Sequence, residues 1–300
     1  MSDERRMITS DPVAWRGFWL EAKARSPANR RERQRRSAEV ESWNIRAPSY
    51  AEHSESQASQ ARRGEILSWL TAAGAFQADS RVLDIGAGPG NYAIPMAGKV
   101  EQVTAVEPAR GMTAILERRL ETEGVGNIRV VLKTWEQIDL EAEGWRGAFD
   151  LVFASMSPGV SNPDMLEKMI AASRSLCYLS GWSGDRWGRW GLAQARLWPL
   201  LFGERLGDYP SDILYAFGML YALGFRPELR FIQPRVHLEM EPQRAAEELA
   251  AHFSRYLDVD RGVRRTIRSY VRDNSRTGTF VQEYTTCQGF MLWSVDKKCK

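Results

Sequence analysis

Residues 81–91 read Arg-Val-Leu-Asp-Ile-Gly-Ala-Gly-Pro-Gly-Asn, a short apolar run that passes directly into a glycine-rich loop. The run predicts a buried strand, and the glycines predict a tight turn at which backbone N–H groups can approach a ligand closely. A dinucleotide site requires glycine at the first, third and sixth positions, but Asn91 takes the sixth position and Pro89 lies in the turn. No Lys-Ser/Thr pair follows, which excludes a phosphate-binding P-loop. The loop therefore predicts a ligand site at the edge of a parallel sheet, and a plain NAD site is disfavoured.

Around this loop, short β-branched runs alternate with helix-like stretches. The predicted strands cover residues 81–85, 102–106, 128–132, 149–154, 176–179 and 229–232, with a final strand inside 280–293. The predicted helices cover residues 57–73, 92–98, 110–122, 163–175, 242–256 and 262–273. Gly74 is placed to end the first of these helices, and Asn162 to cap the one at 163–175. The fold class is therefore α/β: a Rossmann-like, doubly wound, mostly parallel seven-stranded sheet.

The same pattern divides the chain into four segments. Residues 1–60 are polar and Arg-rich and predict an N-terminal helical extension that serves as a lid. Residues 61–179 predict the ligand-binding core of the sheet. Residues 180–227 break the alternation with a Trp- and Gly-rich loop and two apolar helices, which predicts a lid or substrate insertion. Residues 228–300 then predict the C-terminal part of the sheet.

Composition limits the class of protein. The chain has 300 residues, of which 43% are hydrophobic, and Lys and Arg outnumber Asp and Glu by 41 to 38, a small net charge. Basic residues concentrate at 30–36, a pattern typical of a solvated helix face. Cys177, Cys287 and Cys299 show neither paired spacing nor a histidine cluster, so no disulfide framework and no metal site is expected. We find no secretory signal and no stretch long enough to span a bilayer, which favours a cytoplasmic protein.

Asp84, Gly86, Gly88 and Gly90 together resemble the first motif of the class I S-adenosylmethionine-dependent methyltransferases, an acidic residue two before Gly-x-Gly-x-Gly. A close backbone approach suits the amino-acid portion of that cofactor, and a carboxylate suits its ammonium group, usually through water. Glu107 ends the second predicted strand 21 residues after Gly86 and matches the acid with which the family holds the two ribose hydroxyls. The resemblance implies S-adenosylmethionine as cofactor.

Two further motifs extend the resemblance over residues 81–158. In this family, apolar and aromatic side chains pack on the adenine ring, and a polar side chain accepts a hydrogen bond from the adenine amino group. Met112 and the segment 134–136 match the positions of these residues. Ordinary core packing is an equally good interpretation of Met112. Residues 149–156 resemble the fourth motif, whose end faces the transferable methyl group. The resemblance thus assigns the cofactor to Asp84, Gly86, Ala87, Gly88, Gly90, Asn91, Glu107, Pro108, Met112, Thr134, Trp135, Glu136 and Ser155.

The fourth motif also narrows the acceptor. It lacks the Pro-Pro-aromatic sequence of DNA and other amino-methylating relatives, and the chain has neither the Pro-Cys nucleophile of pyrimidine C5 enzymes nor the paired-Glu loop of protein arginine enzymes. A small-molecule acceptor is therefore expected, with guanidinium groups for a carboxylate and indole faces for a cation. The expected substrate-binding residues are Arg46, Tyr50, Met156, Ser157, Trp182, Arg186, Trp187 and Arg189.

No residue stands out as a general base. Tyr50 and His53 are candidates, although a lone histidine at such a position is more often a surface residue. The lack of an obvious general base favours an acceptor that is nucleophilic without one: a thioether, a thiolate or an unprotonated amine. The whole chain is also similar to bacterial methionine S-methyltransferases that begin dimethylsulfoniopropionate synthesis, a likeness carried by the shared cofactor motifs alone.

Three alternatives stay open at this point. Oxygen methylation of a small metabolite is one, and an RNA-modifying methyltransferase that uses residues 30–36 as a tether is another. A non-catalytic binding protein is disfavoured by the intact Asp84 and Glu107. Nucleic acid and membrane partners are not expected, and a homodimer is compatible with the sequence.

Overall fold

The computed structural model describes residues 10–184, 190–207 and 209–296, and for residues 36–39 the backbone alone. Its strands are β1 Arg81–Ile85, β2 Gln102–Val106, β3 Ile128–Val131, β4 Phe149–Ser155, β5 Ser173–Ser183, β6 Glu228–Ile232, β7 Arg235–Met240, β8 Ser275–Arg276, β9 Thr279–Thr285 and β10 Cys287–Ser294. Its helices are α1 Pro12–Arg25, α2 Pro27–Gln34, α3 Arg36–Ser54, α4 Gln57–Ala72, α5 Ala93–Ala97, α6 Arg110–Glu123, α7 Pro163–Ala172, α8 Gly191–Phe202, α9 Ile213–Ala222, α10 Pro242–Phe253 and α11 Arg261–Asp273.

The main sheet has seven strands in the order β3-β2-β1-β4-β5-β10-β6. Strands β1 to β5 run parallel, and β10 runs antiparallel between β5 and β6. The strand order reverses beside β1, where β2 pairs on one side and β4 on the other. Ligands bind at such switch points, beyond the carboxyl ends of the strands. The predicted fold class is confirmed.

The core lies on both faces of this sheet because successive strand residues point to opposite sides. Leu83 belongs to a cluster that includes Trp19 of α1, Leu166 of α7 and Met219 of α9. Val82, its neighbour, belongs to the opposite cluster, which includes residues of α4, α5 and α6. The N-terminal α1 therefore covers one face of the sheet as part of its core.

Two local signals of the sequence are confirmed. Asn162 caps α7, since its side-chain oxygen accepts from the Met165 N–H at 3.0 Å. Gly74 follows α4 with φ +79°, a conformation that favours glycine. The helix predicted over 163–175 ends earlier, at Ala172, because Ser173 already pairs with Phe149 of β4. Strand β5 in turn extends to Ser183, since β10 pairs with its far half.

A second, smaller layered unit was not predicted. Strands β7, β9 and β8 form a three-stranded antiparallel sheet, and α8, α10 and α11 pack on it around Trp198, Phe253 and Phe280. The structure thus combines parts of the predicted insertion, 180–227, with parts of the predicted C-terminal segment, 228–300. The region 280–293, expected to hold one strand, contributes β9 to this unit and β10 to the main sheet.

No helix in the described ranges is long and apolar enough to cross a membrane. Within the same ranges, no group of three or more His, Cys, Asp or Glu side chains is arranged to hold a metal ion.

Candidate cofactor and acceptor site

The glycine loop is anchored to the neighbouring strand at the point where β1 ends. The N–H groups of Gly86 and Ala87 both donate to the Val106 carbonyl, at 2.8 and 3.2 Å. Gly86, Gly88 and Gly90 all have positive φ, at 76°, 55° and 85°. Side chains other than glycine are strained in that region, so the alternating glycines are required by the turn itself.

The three glycines differ in what surrounds them. A Cβ on Gly86 would overlap the Ser157 hydroxyl and lie 2.9 Å from the Ser157 Cβ, and one on Gly90 would overlap Leu116. A Cβ on Gly88 would have one neighbour within 4 Å, the Tyr50 ring at 3.9 Å. The outer two glycines therefore allow close packing of the protein, whereas a Cβ on Gly88 would be in ordinary contact with Tyr50 alone.

Two buried carboxyl groups flank this loop. Glu107 is 7% exposed, and its two oxygens accept from the N–H groups of Gly88 and Ala109 at 2.9 and 2.8 Å. Each oxygen keeps a second acceptor position, which suits a pair of hydroxyl groups. Asp84 is 2% exposed, and its burial, together with the charge of Glu107, raises its pKa to about 8. Burial raises the pKa of Glu107 too, against the effect of its two N–H donors. A cationic ligand here would relieve the repulsion between the two groups.

Helix α3 lies across this site and is attached to it near its middle and at its C-terminal end. Near the middle, the Asn44 side chain accepts from the Gly111 N–H at 2.9 Å, and the helix approaches so closely that a Cβ on Gly111 would lie 2.8 Å from the Asn44 carbonyl oxygen. At the C-terminal end, the Ser54 hydroxyl donates to the Asn91 side chain at 3.2 Å. Asn91 also accepts from Arg119 at 3.3 Å. Asn91, expected to touch the cofactor, thus links α3 and α6 to the glycine loop.

Tyr50 and Arg46, predicted to bind the substrate, lie on this helix. The Tyr50 ring lies over Gly88, and burial among surrounding groups, including Glu107, raises the pKa of its hydroxyl. Arg46 stacks on the Trp43 ring, with 4.0 Å from the guanidinium carbon to the ring centre, and its Nε donates to the Ser42 carbonyl. His53 is exposed near the end of the helix.

The predicted adenine-binding residues are placed less favourably. Trp135 is 2% exposed, packs into the main core and donates its Nε1–H to the Met165 carbonyl at 3.3 Å, so it offers no free face to a ring. Met112 is also 2% exposed and packs on Ala47 of α3. Thr134 caps a short turn at Trp135–Gln137. Glu136 is exposed. The physical reason is that a large apolar side chain beside a sheet is stabilised most by burial in the core.

A small cleft of about 30 Å³ opens beyond the ends of β4 and β5. Met156 follows β4 with φ +53° and donates its N–H to the carbonyl and hydroxyl oxygens of Ser180, at 3.2 and 3.0 Å. The Ser155 and Ser180 hydroxyls lie 3.2 Å apart. A non-glycine residue in this conformation carries strain, and such residues concentrate at functional sites.

The cleft brings together three of the predicted acceptor-binding residues. Met156, Ser157 and Trp182 line it, while Arg186, Trp187 and Arg189 lie outside the described residues. The other lining residues were not predicted: Trp19, Val160, Ser161, Leu179, Ser180, Gly181, Tyr209, Ser211, Ile213 and Ala216. The signal that could have indicated Trp19 is a tryptophan in an otherwise polar extension. Every lining residue in the described part of the chain is uncharged, and five of them carry hydroxyl groups.

Comparison with known proteins agrees with this geometry. Residues 82–178 match the family model described as a methyltransferase domain. Of the curated proteins, an uncharacterized protein of Haemophilus influenzae is 29% identical over 160 residues, which cover 52% of this chain and 55% of that protein. A 23S rRNA (uracil(1939)-C(5))-methyltransferase of Edwardsiella ictaluri is 27% identical over 118 residues, 39% of this chain and 26% of that protein. The chain thus spans about half of the first relative and about a quarter of the second.

Among solved structures, a proposed methyltransferase of Bacillus halodurans superimposes with a TM-score of 0.51 at 14% identity. The alignment covers 76% of this chain and 98% of that chain. This similarity concerns the fold, and the match of residues 82–178 to the family model is the more specific finding.

Proposed function

We propose that this protein, whose residues 82–178 are a class I S-adenosylmethionine-dependent methyltransferase domain, methylates a sulfur or nitrogen atom of a small amino-acid-like molecule. S-adenosylmethionine is the cofactor and supplies an electrophilic methyl group on a sulfonium. The observation that carries the proposal for the acceptor is the uncharged cleft beside Met156, lined by indole and hydroxyl groups.

The residues around the glycine loop, which we call the donor side of the site, fit the cofactor. Glu107 is held by two N–H donors with acceptor positions to spare for ribose hydroxyls, and Gly88 leaves room for a close approach to its backbone. Asp84 offers a carboxylate to an ammonium group. Tyr50 on α3 closes over the loop and excludes water, which matters because methyl transfer is an in-line displacement that depends on alignment.

The cleft beside Met156, which we call the acceptor side, and the tyrosines around the site favour a methyl acceptor that needs no general base. Burial raises the pKa of Tyr92 to about 12 and raises that of Tyr50, so both phenols stay protonated at neutral pH. The indole of Trp182, which is half-buried beside the cleft, suits a cation, such as an ammonium group or a sulfonium product. A thioether forms a sulfonium without losing a proton, so methionine is our specific proposal for the acceptor. Arg186 and Arg189 remain our proposed partners for its carboxylate.

Uracil C5 methylation, the activity named for the Edwardsiella ictaluri relative, has little support in the described part of this chain. Such chemistry proceeds through a cysteine nucleophile, which must be a thiolate. Cys177 is buried in β5, and burial raises its pKa to about 12. Burial also raises the pKa of Cys287. Neither thiol is activated.

Calorimetry with S-adenosylmethionine and S-adenosylhomocysteine tests the donor half of the proposal, and no detectable binding of either would refute it. The acceptor half is tested by transfer of radiolabelled methyl groups to a panel of amino acids, thiols, thioethers, amines, phenols and RNA. We expect label in a thioether or amine that carries a carboxylate. Label in RNA alone, or in phenols alone, would contradict the proposal.

A further inference from the structure

Helix α11 carries a row of arginines that the proposed function does not use. Residues 261–276 contain six arginines and one acidic residue, Asp273, in a chain whose net charge is only +3. All six arginines are exposed: Arg261, Arg264, Arg265, Arg268, Arg272 and Arg276. We call these six the α11 arginine stripe. Ile267, Tyr270 and Val271 form the opposite, buried face of the helix, so the stripe must face outward.

Most of the stripe has no carboxylate partner in the described ranges. Arg272 pairs with Asp273 at 3.2 Å, and the other five make no ion pair with a described residue. The basic segment at residues 30–36 differs in this respect. There, Arg30 and Arg31 both pair with Glu204 at 3.0 Å, and Arg35 pairs with Asp258 at 2.7 Å. Arg30, Arg31 and Arg35 of the segment that the sequence suggested as a tether are thus paired within the molecule, whereas five of the six arginines of the α11 stripe make no ion pair with a described residue.

The stripe works against the stability of its own helix. Arg264 and Arg268 are four residues apart, as are Arg261 and Arg265, so like charges lie side by side. Arg261 also stands in the first turn, where the helix dipole disfavours a cation. A sequence that breaks local rules repeatedly along one exposed face indicates a function for that face.

We propose that the α11 arginine stripe binds the phosphate backbone of single-stranded RNA. From Arg261 to Arg272 the helix extends about 16 Å, at about 1.5 Å per residue. This spacing of charge is comparable to that along one nucleic-acid strand, about one phosphate per 3.4 Å. The guanidinium fork pairs with phosphate through two hydrogen bonds. A single straight row of guanidinium groups can follow the phosphates of one nucleic-acid strand. RNA exposes unpaired strands in its loops and at its ends.

Two other anionic partners fit less well. An interfacial membrane helix inserts an apolar face into the lipid, but the apolar face of α11 is buried in the protein, and none of the exposed large hydrophobic residues falls within 261–276. An acidic protein surface usually offers aromatic or apolar anchors with its charges, and the exposed face of the stripe lacks their counterparts. The proposal concerns docking alone and does not depend on which acceptor is methylated.

The test measures binding of the full chain to a fluorescein-labelled oligouridine of about 20 nucleotides by anisotropy, between about 50 and 200 mM NaCl. Replacing Arg264, Arg265 and Arg268 together with Gln should weaken binding at low salt at least tenfold. The slope of log affinity against log salt should fall by about 2, since each lost phosphate contact contributes about 0.7. Replacing the same three with Lys should retain most of the binding.

The matched control neutralises three exposed arginines elsewhere, Arg118, Arg146 and Arg205, and should bind like the unmodified protein. An equal loss in this control would overturn the proposal, as would oligouridine binding that is absent or insensitive to salt. Tighter binding to oligothymidine, to polyglutamate or to vesicles with about 30% phosphatidylserine would also overturn it. The melting temperature of the Gln variant should not fall, because the substitutions remove like-charge neighbours. A lower melting temperature with unchanged RNA affinity would assign the stripe a structural role and contradict the proposal.

Discussion

The donor side and the acceptor side of the site are built in different ways. The donor side comes from one continuous stretch, residues 81–112, whose strand ends and glycine turns place Asp84 and Glu107 with few outside contributions. The acceptor side is assembled from separate segments, since Trp19, Met156, Trp182, Tyr209 and Ile213 meet in one cleft. The difference teaches that the donor is specified locally, whereas the acceptor is specified by how distant helices pack on the sheet.

The largest expected effect is on the donor side, at Gly86. Gly86→Ala would add a Cβ 2.9 Å from the Ser157 Cβ at a residue with φ +76°, so the loop cannot keep its shape. We expect S-adenosylmethionine affinity to fall about 100-fold or more, measured by calorimetry. Gly74→Ala is the matched control, with φ +79° and open space around it. It should lower the melting temperature and leave affinity unchanged. Equal affinity in the two variants would mean that Gly86 does not shape the donor site.

The second effect is at Glu107, where the donor side provides its charged acceptor. Glu107→Ala should weaken S-adenosylmethionine binding roughly ten- to hundredfold, because a lost charged hydrogen bond contributes about 1.5 to 3 kcal/mol. Glu101→Ala, at an exposed residue just before β2, should change nothing. An unaltered dissociation constant for Glu107→Ala would refute the proposed contact with ribose.

The third effect separates the two sides. Trp182→Ala should raise the acceptor KM about tenfold through loss of an indole face, while leaving the dissociation constant of S-adenosylmethionine unchanged. Steady-state kinetics and calorimetry on the same preparation check this. Equal losses on both sides would mean that the cleft and the glycine loop are one cooperative structure, so that donor and acceptor are not specified independently.

The smallest effect is the pH dependence of donor binding. Because the pKa of Asp84 is raised to about 8, this carboxyl group is largely protonated in the free protein at pH 7, and a cationic donor must displace the proton. Affinity should therefore decline as pH falls from about 9 to 6. Asp84→Asn should flatten this dependence, which separates it from titration of the ligand. The same raised pKa should make the free protein less stable as pH rises from about 4 to 8, since the folded state binds the extra proton.

Much of the donor side could be predicted from the sequence because its signals are local. The strand ends, the alternating glycines and the acid that ends β2 follow from spacing alone, and β1 and β2 lie where predicted. Trp135 could not be placed in this way, because the depth of the core beside β4 decides whether an aromatic ring faces a ligand or the interior.

The second sheet and the arginine stripe were missed for a different reason. Strand β7 alternates polar and apolar residues from Arg235 to Met240, but two helices separate it from its partner β9. The pairing of the two strands therefore depends on long-range contacts that no local pattern reveals. The small net charge of the chain favoured a protein without an anionic partner. Net charge is a sum over the whole chain, so it does not reveal that Arg30 and Arg31 on α2 are paired with a carboxylate whereas most arginines on α11 are not.

Helix α3 also has a kinetic consequence. Its attachment through Asn44 near its middle and Ser54 at its C-terminal end places Tyr50 over Gly88, beside the loop at which we expect the donor to bind. Tyr50 itself stays 39% exposed, so the helix covers the loop only in part. If S-adenosylmethionine binds at this loop as proposed, movement of this helix would accompany its entry and release, and the helix would contribute to the rate of cofactor exchange.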